Sequence, residues 1–519
     1  MLSNPSRASR PAAGDSMRNA LFGLSSWLLP LLVTIVVTPV VVRALGAERF
    51  GLLALALGAG GYALGLTPAR ALLRQLATYR AGHELPRAGE LLATATLLTV
   101  ALGTLLGLLL AVSSGWLARS VLRLPEDLRA VAAQALLLAA IGVPFGMLSQ
   151  VFAAVPQALR RIDLYGRLTT LLAVVLVGGN GVLALTGFGV TALVGWNVAA
   201  SALGAGAYFA LTRRLLPDAG PLWRGDFRLV RSLVRFSAAV IGYQTFGTLL
   251  LLFERFWIMR ELGSAEVAFY VVPMTVAVFL HAAISSLALA FFPLASEATA
   301  RQDFAELRAV YSRASKYASA LVALAVVTLG VAARPLLELW IDAQFAERSA
   351  TVLAIQAVAF GLVAISIVPW QVAEALDRPA LNAGLTFAWL LLGSALVVAL
   401  TPRFGIVGVA TARLLSMICL PFYLARVERL VFGGFLWRGW LRSAAFLLAA
   451  AGVAGLLESW TLARLPLSWW ALATAAGLGA CAFAACLRLS GHFDGGDVRW
   501  LRERLTSALR TPRVASVAD

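Results

Sequence analysis

Apolar stretches of about twenty residues recur from one end of the chain to the other, each long enough to cross the hydrocarbon core of a bilayer as a helix. In lipid the backbone must satisfy its own hydrogen bonds, which leaves helices and closed barrels. These runs are too long and too continuously apolar for barrel strands. The pattern therefore predicts an all-α polytopic membrane protein with about 14 transmembrane helices. The expected spans are roughly 20–43, 50–70, 91–113, 131–157, 168–186 and 190–212, then 236–258, 268–294, 317–340, 350–373, 380–401 and 405–425, with two more at 441–459 and 467–487.

Composition agrees, with 60% hydrophobic and only 13% charged residues and a mean hydropathy of +0.84. A net charge of +17 would suggest nucleic acid in a soluble protein. Here the basic residues sit in the segments between spans, where they set orientation and meet lipid headgroups, so no nucleic-acid partner is expected. With the N-terminus in the cytoplasm, the inside segments hold 31 of the 43 basic residues and the outside loops nine. Arg255, Arg334 and Arg413 fall within spans. Both termini are thus expected inside.

The chain also repeats itself. Arg43-Ala44-Leu45-Gly46 falls on Arg260-Glu261-Leu262-Gly263, and Ala158-Leu159-Arg160-Arg161 on Ala375-Leu376-Asp377-Arg378, both at an offset of 217. Phe188-Gly189-Val190 falls on Phe404-Gly405-Ile406 at an offset of 216. Three echoes in one register predict two six-helix lobes, 20–212 and 236–425, with a linker at 213–235. An even number of spans per lobe makes this a parallel pseudo-two-fold repeat, a plan found in transporters with a substrate site between the halves. The tail 1–19, the extra pair of helices within 426–487 and the tail 488–519 lie outside the duplication.

Three inside segments have helical amphipathic spacing. They begin at Asp226, at Asp303 with Glu306 in a capping-box pattern, and at Asp497, and are expected to lie at the headgroups. Cys419, Cys481 and Cys486 lie in apolar runs without metal-like spacing. His83, His281 and His492 are far apart, and there is no phosphate-binding glycine loop, nucleophile elbow or paired-carboxylate site. No enzyme chemistry is expected, and no cofactor.

Several short motifs resemble the polysaccharide flippases, the Wzx-type exporters of lipid-linked oligosaccharides in the multidrug, oligosaccharidyl-lipid and polysaccharide (MOP) exporter superfamily. They are Pro39 to Leu52, Gly65-Leu66-Thr67-Pro68-Ala69 with Arg70 and Arg74, and Gln157 to Asp163. Phe292-Pro293-Leu294 with Glu306-Leu307-Arg308, Leu339-Trp340-Ile341-Asp342 with Phe345 and Ala346, and Phe404 to Ala410 complete the set. The resemblance spans residues 20–425. It implies two lobes around a central cavity whose access alternates across a bacterial inner membrane, and a lipid-linked glycan as substrate. Membrane lipids and the polysaccharide polymerase or glycosyltransferase machinery are the implied partners. A proton or sodium ion would drive transport, without a choice between them. A peptidoglycan-precursor flippase and a drug exporter share the fold, and a membrane-embedded glycan ligase or polymerase is the reading from another class.

An ionised group is expensive in a bilayer unless paired, so a path for a lipid pyrophosphate should carry cations or donors. The residues expected at the substrate cavity are Arg255, Arg70, Arg74, His281, Glu254, Arg43 and Gln244. By the resemblance, spans 7 and 8 face the cavity with Glu254, Arg255 and His281. Arg70 and Arg74 share a helix face where span 2 is expected to end, and Arg43 closes span 1. Gln244 matches Trp27 at the offset of 217. Each has a plainer alternative. The arginines can anchor at the interface, Glu254 can pair with Arg255 or Arg260, His281 can be a hydrogen-bonded packing residue, and Gln244 can join helices. Arg413 is expected at the periphery.

Overall fold

The computed structural model describes residues 13–81, 87–217, 219–222, 224–288, 299, 301–497 and 499. The N-terminal tail to residue 12, His83, Phe292-Pro293-Leu294 and most of the expected helix at 497–510 lie outside them.

The first half comprises α1 (Ala13–Tyr62), α2 (Ala69–Ala81), α3 (Ala88–Trp116), α4 (Glu126–Ala158), α5 (Ile162–Leu185) and α6 (Val190–Leu215). The second comprises α7 (Phe227–Glu261), α8 (Ser264–Ala288), α9 (Phe304–Trp340), α10 (Ala343–Ile365), α11 (Ile367–Ala375) and α12 (Pro379–Ser416). Then come α13 (Leu420–Phe432), α14 (Trp437–Arg464) and α15 (Trp469–Leu489). Among the described residues, eleven segments are long and apolar enough to cross a membrane. Two of them fold back on themselves. The chain turns at Gly46 (φ 75°) within α1 and at Gly405 (φ 56°) within α12, a conformation open to glycine. Each therefore supplies two crossings, and α7, merged with the amphipathic stretch before it, completes fourteen. The surface fits this reading, for Val112 is 84% exposed, a cost in water that lipid does not impose.

The helices leave two ends, called here the terminal face, where α1 begins and α15 ends, and the far face, which carries the Gly46 and Gly405 turns. The two halves repeat each other without inversion. The turns after α4 and α11 superimpose in detail at the offset of 217. Arg161 and Arg378 donate backbone N–H bonds of 2.8 Å to the fifth residue back, Pro156 and Ala373. Arg160 (φ 59°) and Asp377 (φ 57°) occupy the same left-handed conformation. Helix pairing repeats too, α3 on α4 as α9 on α10, and α1 on α5 as α12 on α7. Helices α14 and α15 pack on each other and against α9, at the outside of the second lobe.

Three differences from the sequence reading concern helix ends. Arg70 and Arg74 do not end span 2; a short 3-10 turn (Ala63–Leu66) and Pro68 break it, and both arginines lie on the separate helix α2. The stretch from Asp226 is the first part of α7 itself, capped by Asp226 accepting from the Arg228 N–H, with Leu233 buried in the first lobe's core. Helix α13 is a separate amphipathic helix with Pro421 in its first turn, which the hydropathy of the preceding run conceals. The Asp303 cap forms as expected, accepting from the Glu306 N–H at 2.9 Å.

At the far face one apolar core draws on both halves, including Leu52 and Leu55 from the first and Ile258, Val267, Tyr270 and Leu337 from the second. At the terminal face the halves have separate cores, one around Leu72, Leu91 and Val151 and the other around Leu307, Tyr311 and Val372. Apart from the start of α7, whose Leu233 joins the first lobe's core, apolar packing between the lobes is concentrated at the far face.

Candidate functional site

The second arm of α1 meets the start of α8 so closely that a β-carbon at Gly51 would collide with the Ser264 carbonyl, and glycine alone permits the approach. Around this contact the halves exchange hydrogen bonds. Arg43 donates through Nε (3.0 Å) and Nη2 (2.5 Å) to the Ile341 carbonyl and through Nη2 to that of Trp340 (3.3 Å). These are the carbonyls at the C-terminal end of α9, where free acceptors and the helix dipole favour a cation. Trp340 Nε1 returns a 2.7 Å bond to the Ile35 carbonyl. Nearer the middle of the bundle, Arg255 Nη1 donates to the Ala54 carbonyl at 3.2 Å. The far-face junction is an apolar seal tied by Arg43 and Arg255, with a more exposed Arg123–Glu261 ion pair (3.8 Å) between the halves beside it.

The terminal-face junction is polar. Arg70 Nη1 donates to the Tyr243 hydroxyl at 2.6 Å. That hydroxyl donates in turn to Glu374 Oε1 at 3.0 Å, which also accepts from Trp370 Nε1 at 3.0 Å. The Tyr243 and Trp370 rings meet edge to face, with centroids 4.8 Å apart. Gln244, with its amide oxygen turned to Arg70, accepts from Nε (3.2 Å) and Nη2 (3.3 Å) and donates to the Gly65 carbonyl (3.3 Å). Arg70 and Gly65 belong to the first lobe, Tyr243, Gln244, Trp370 and Glu374 to the second. A cation and a carboxylate are thus bridged by a neutral hydroxyl across the interface. Arg74, exposed on α2, follows Arg70 one turn later.

A third polar centre lies inside the second lobe. Glu254 is fully buried and Arg413 is 6% exposed. Arg413 Nη2 stands 2.5 Å from Glu254 Oε2, which also accepts from the Tyr270 hydroxyl at 2.9 Å. The guanidinium lies over the Phe360 ring, 5.0 Å from its centroid. Glu254 therefore pairs with neither Arg255 nor Arg260, and Arg413 is not peripheral; a charge in the middle of a crossing has taken the one carboxylate that compensates it. His281 is half-buried on α8, with Nε2 3.4 Å from Ser285 Oγ.

The seven expected residues are thus distributed over the bundle. Arg70 and Gln244 come together, with Arg74 beside them; Arg43 and Arg255 reach across near the far face; Glu254 belongs to a buried pair, and His281 sits apart on α8. Sequence reasoning missed Tyr243, Trp370, Glu374 and Arg413. One signal pointed to Glu374, because the 217 offset sets it against Gln157, an acid where the first half has an amide. Among the described residues no three His, Cys, Asp or Glu side chains converge as metal ligands would.

Comparison with known proteins places this architecture. Residues 86–350, about half of the chain, match the family of polysaccharide biosynthesis proteins. A putative O-antigen transporter of Shigella flexneri is 23% identical over 415 residues, covering 76% of this chain and 93% of that protein. The fold is similar to that of the lipid II flippase MurJ in an inward closed conformation, with a TM-score of 0.69, 12% identity and coverage of 90% of this chain and 98% of that one. It is also similar to an inward-facing multidrug resistance MATE family transporter of the MOP superfamily, at a TM-score of 0.58, 15% identity and coverage of 84% and 99%. With half of its length matched by the family model, the chain belongs to the polysaccharide biosynthesis protein family, as a multi-pass membrane protein whose fold is similar to that of MurJ and of a MATE transporter of the MOP superfamily.

Proposed function

We propose that the chain moves an undecaprenyl-pyrophosphate-linked oligosaccharide across the bacterial inner membrane by alternating access, for the assembly of a surface polysaccharide. The observation that carries this reading is the contrast between the two junctions. Opening the far face exposes apolar surface from both lobes, at about 25 cal/mol for each Å². Opening the terminal face exchanges the Arg70–Tyr243–Glu374 bonds for bonds to water or to a ligand, and a bond to a charged group is worth about 1.5–3 kcal/mol net. The terminal face is the end poised to open.

A pyrophosphate arriving there offers anionic oxygens that compete with the Tyr243 hydroxyl for Arg70, with Arg74 as a second cation on the same helix face. Substrate entry then releases the bridge that holds the lobes together. The bias of basic residues puts this face in the cytoplasm, where lipid-linked glycans are assembled. Glycosyltransferases would supply the substrate and a polymerase would take it up outside. The coupling ion is not assigned. Depletion of the protein tests the reading: a lipid-linked oligosaccharide should accumulate on the cytoplasmic leaflet. Accumulation of a peptidoglycan precursor, or altered drug tolerance with normal lipid-linked glycans, would replace it by one of the other roles this fold serves.

A further inference from the structure

Away from the lobe junctions, a cavity of about 360 Å³ opens at the terminal-face ends of α9, α14 and α15. It lies at the level where α14 begins and α15 has just ended, which is the depth of lipid headgroups. Its wall is rich in donors, including Lys316, Ser319, Arg442, Ser443 and His492. Two of them are built in and unused. Ser319 is 4% exposed and His492 8%, and Ser319 Oγ and His492 Nε2 have no hydrogen-bond partner among the described residues. A buried polar atom left unsatisfied costs about 1–3 kcal/mol, so a wall that carries two of them is shaped for something that satisfies them.

The charges determine what that is. Glu428, the carboxylate in the wall, is already saturated. Its Oε1 accepts from Tyr311 (3.0 Å) and Trp440 Nε1 (2.6 Å), and its Oε2 from the Leu436 N–H (2.8 Å). Lys316 is held by Asp497 at 2.5 Å. Arg442 leans on the Phe446 ring, 5.6 Å from its centroid, and no carboxylate among the described residues pairs with it. What remains available is a guanidinium, the wall's serine hydroxyls and an imidazole nitrogen, with no free carboxylate in the wall among the described residues. Burial, and after it the nearby Lys316 and Arg442, hold the His492 imidazole below its ordinary pKa despite the opposing Asp497.

We infer that this cavity is a binding site for a phosphate group, separate from the transport path. A tetrahedral anion with several oxygens can take donors arriving from α9, α14 and the turn after α15 together, as a planar carboxylate cannot. At this depth the nearest supply is the phosphodiester headgroup of an anionic phospholipid in the leaflet against the terminal face, with a soluble phosphate compound as the other source. Bound phosphate would clamp the extra helix pair onto α9.

Native mass spectrometry of the full-length protein in detergent tests this, with phosphatidylglycerol, phosphatidylcholine and inorganic phosphate as probes. Arg442→Gln should weaken phosphatidylglycerol binding about tenfold, the loss of one charge-assisted hydrogen bond. Ser319→Ala, which suits a helix and leaves the charge unchanged, should weaken it by a smaller factor. Arg438→Gln, on the same helix but outside the cavity wall, should leave it within about twofold, since it removes the same charge without touching the site. Phosphatidylglycerol binding that survives millimolar inorganic phosphate identifies the lipid as the source. Inorganic phosphate binding that depends on Arg442, without preference among lipids, identifies a soluble compound. Equal losses in Arg442→Gln and Arg438→Gln, or no loss in either Arg442→Gln or Ser319→Ala for any probe, would overturn the site.

Discussion

Arg413 and Glu254 stand 159 residues apart in sequence and 2.5 Å apart in space, the one cation and the one carboxylate of a centre buried between α7, α8 and α12. Neither side chain has an aqueous alternative, so their worth appears when one is removed. Arg413→Met leaves a buried carboxylate with only Tyr270 to satisfy it and should cost about 3–5 kcal/mol. The double variant Glu254→Gln/Arg413→Met restores neutrality and should recover much of the loss. Thermal unfolding in detergent, followed by size-exclusion fluorescence, measures all three; additive losses would show that the two residues act independently.

Gly51 predicts a different kind of failure. A methyl group there meets the Ser264 carbonyl of the other lobe, while one at Gly61, on the same helix, meets no atom within 4 Å. Gly51→Ala should therefore prevent the far face from closing and abolish export while the protein still reaches the membrane. Gly61→Ala should be neutral or slightly stabilising, since alanine is the better helix former. Export measured beside membrane abundance separates the two, and normal export in Gly51→Ala would show that the far face closes elsewhere.

The fold was readable because lipid makes the rules strict. Span length, the turn glycine Gly46 and the duplicated turns at 158–161 and 375–378 are local signals. Asp226 and Asp303 announce their helix starts within three residues. The site was harder, because hydropathy does not tell an arginine facing lipid from one facing a neighbouring helix. Arg413 looked like a peripheral cation until its partner 159 residues away was placed beside it. Tyr243 and Trp370 read as ordinary aromatics in apolar runs, and only the bundle brings them to Glu374. Arg70 and Gln244 were legible as candidates by type, but their meeting depends on the break at Pro68, which turns α2 toward α7.

The basic bias predicts the orientation, and a direct experiment tests it. In a background with Cys419, Cys481 and Cys486 replaced, single cysteines at Arg224 and Thr186 occupy exposed positions at opposite ends of the bundle. An impermeant maleimide added to intact cells should label Thr186→Cys and should reach Arg224→Cys only after the membrane is opened. Labelling of Arg224→Cys alone in intact cells would place the terminal face outside and reverse the direction of transport.

The bridge between the lobes makes the most specific claim about how the protein moves. Tyr243→Phe keeps the ring against Trp370 and removes the hydroxyl that joins Arg70 to Glu374. Losing these bonds to charged partners should shift the balance toward an open terminal face by about 1.5–3 kcal/mol, roughly tenfold or more in population. Spin labels at Arg74 and Asp377, one on each lobe, should report a longer and broader distance distribution in the variant than in the parent chain. Glu374→Gln should act in the same direction but less, because the amide oxygen still accepts from both neighbours without its charge. The same opening should follow when a pyrophosphate lipid is added to the parent chain, and adding it to Tyr243→Phe should change little, since the bridge is already gone. An unchanged distance distribution in Tyr243→Phe would mean that Arg70, Tyr243 and Glu374 do not hold the lobes together, and the gate would have to be sought in the apolar contacts of α7.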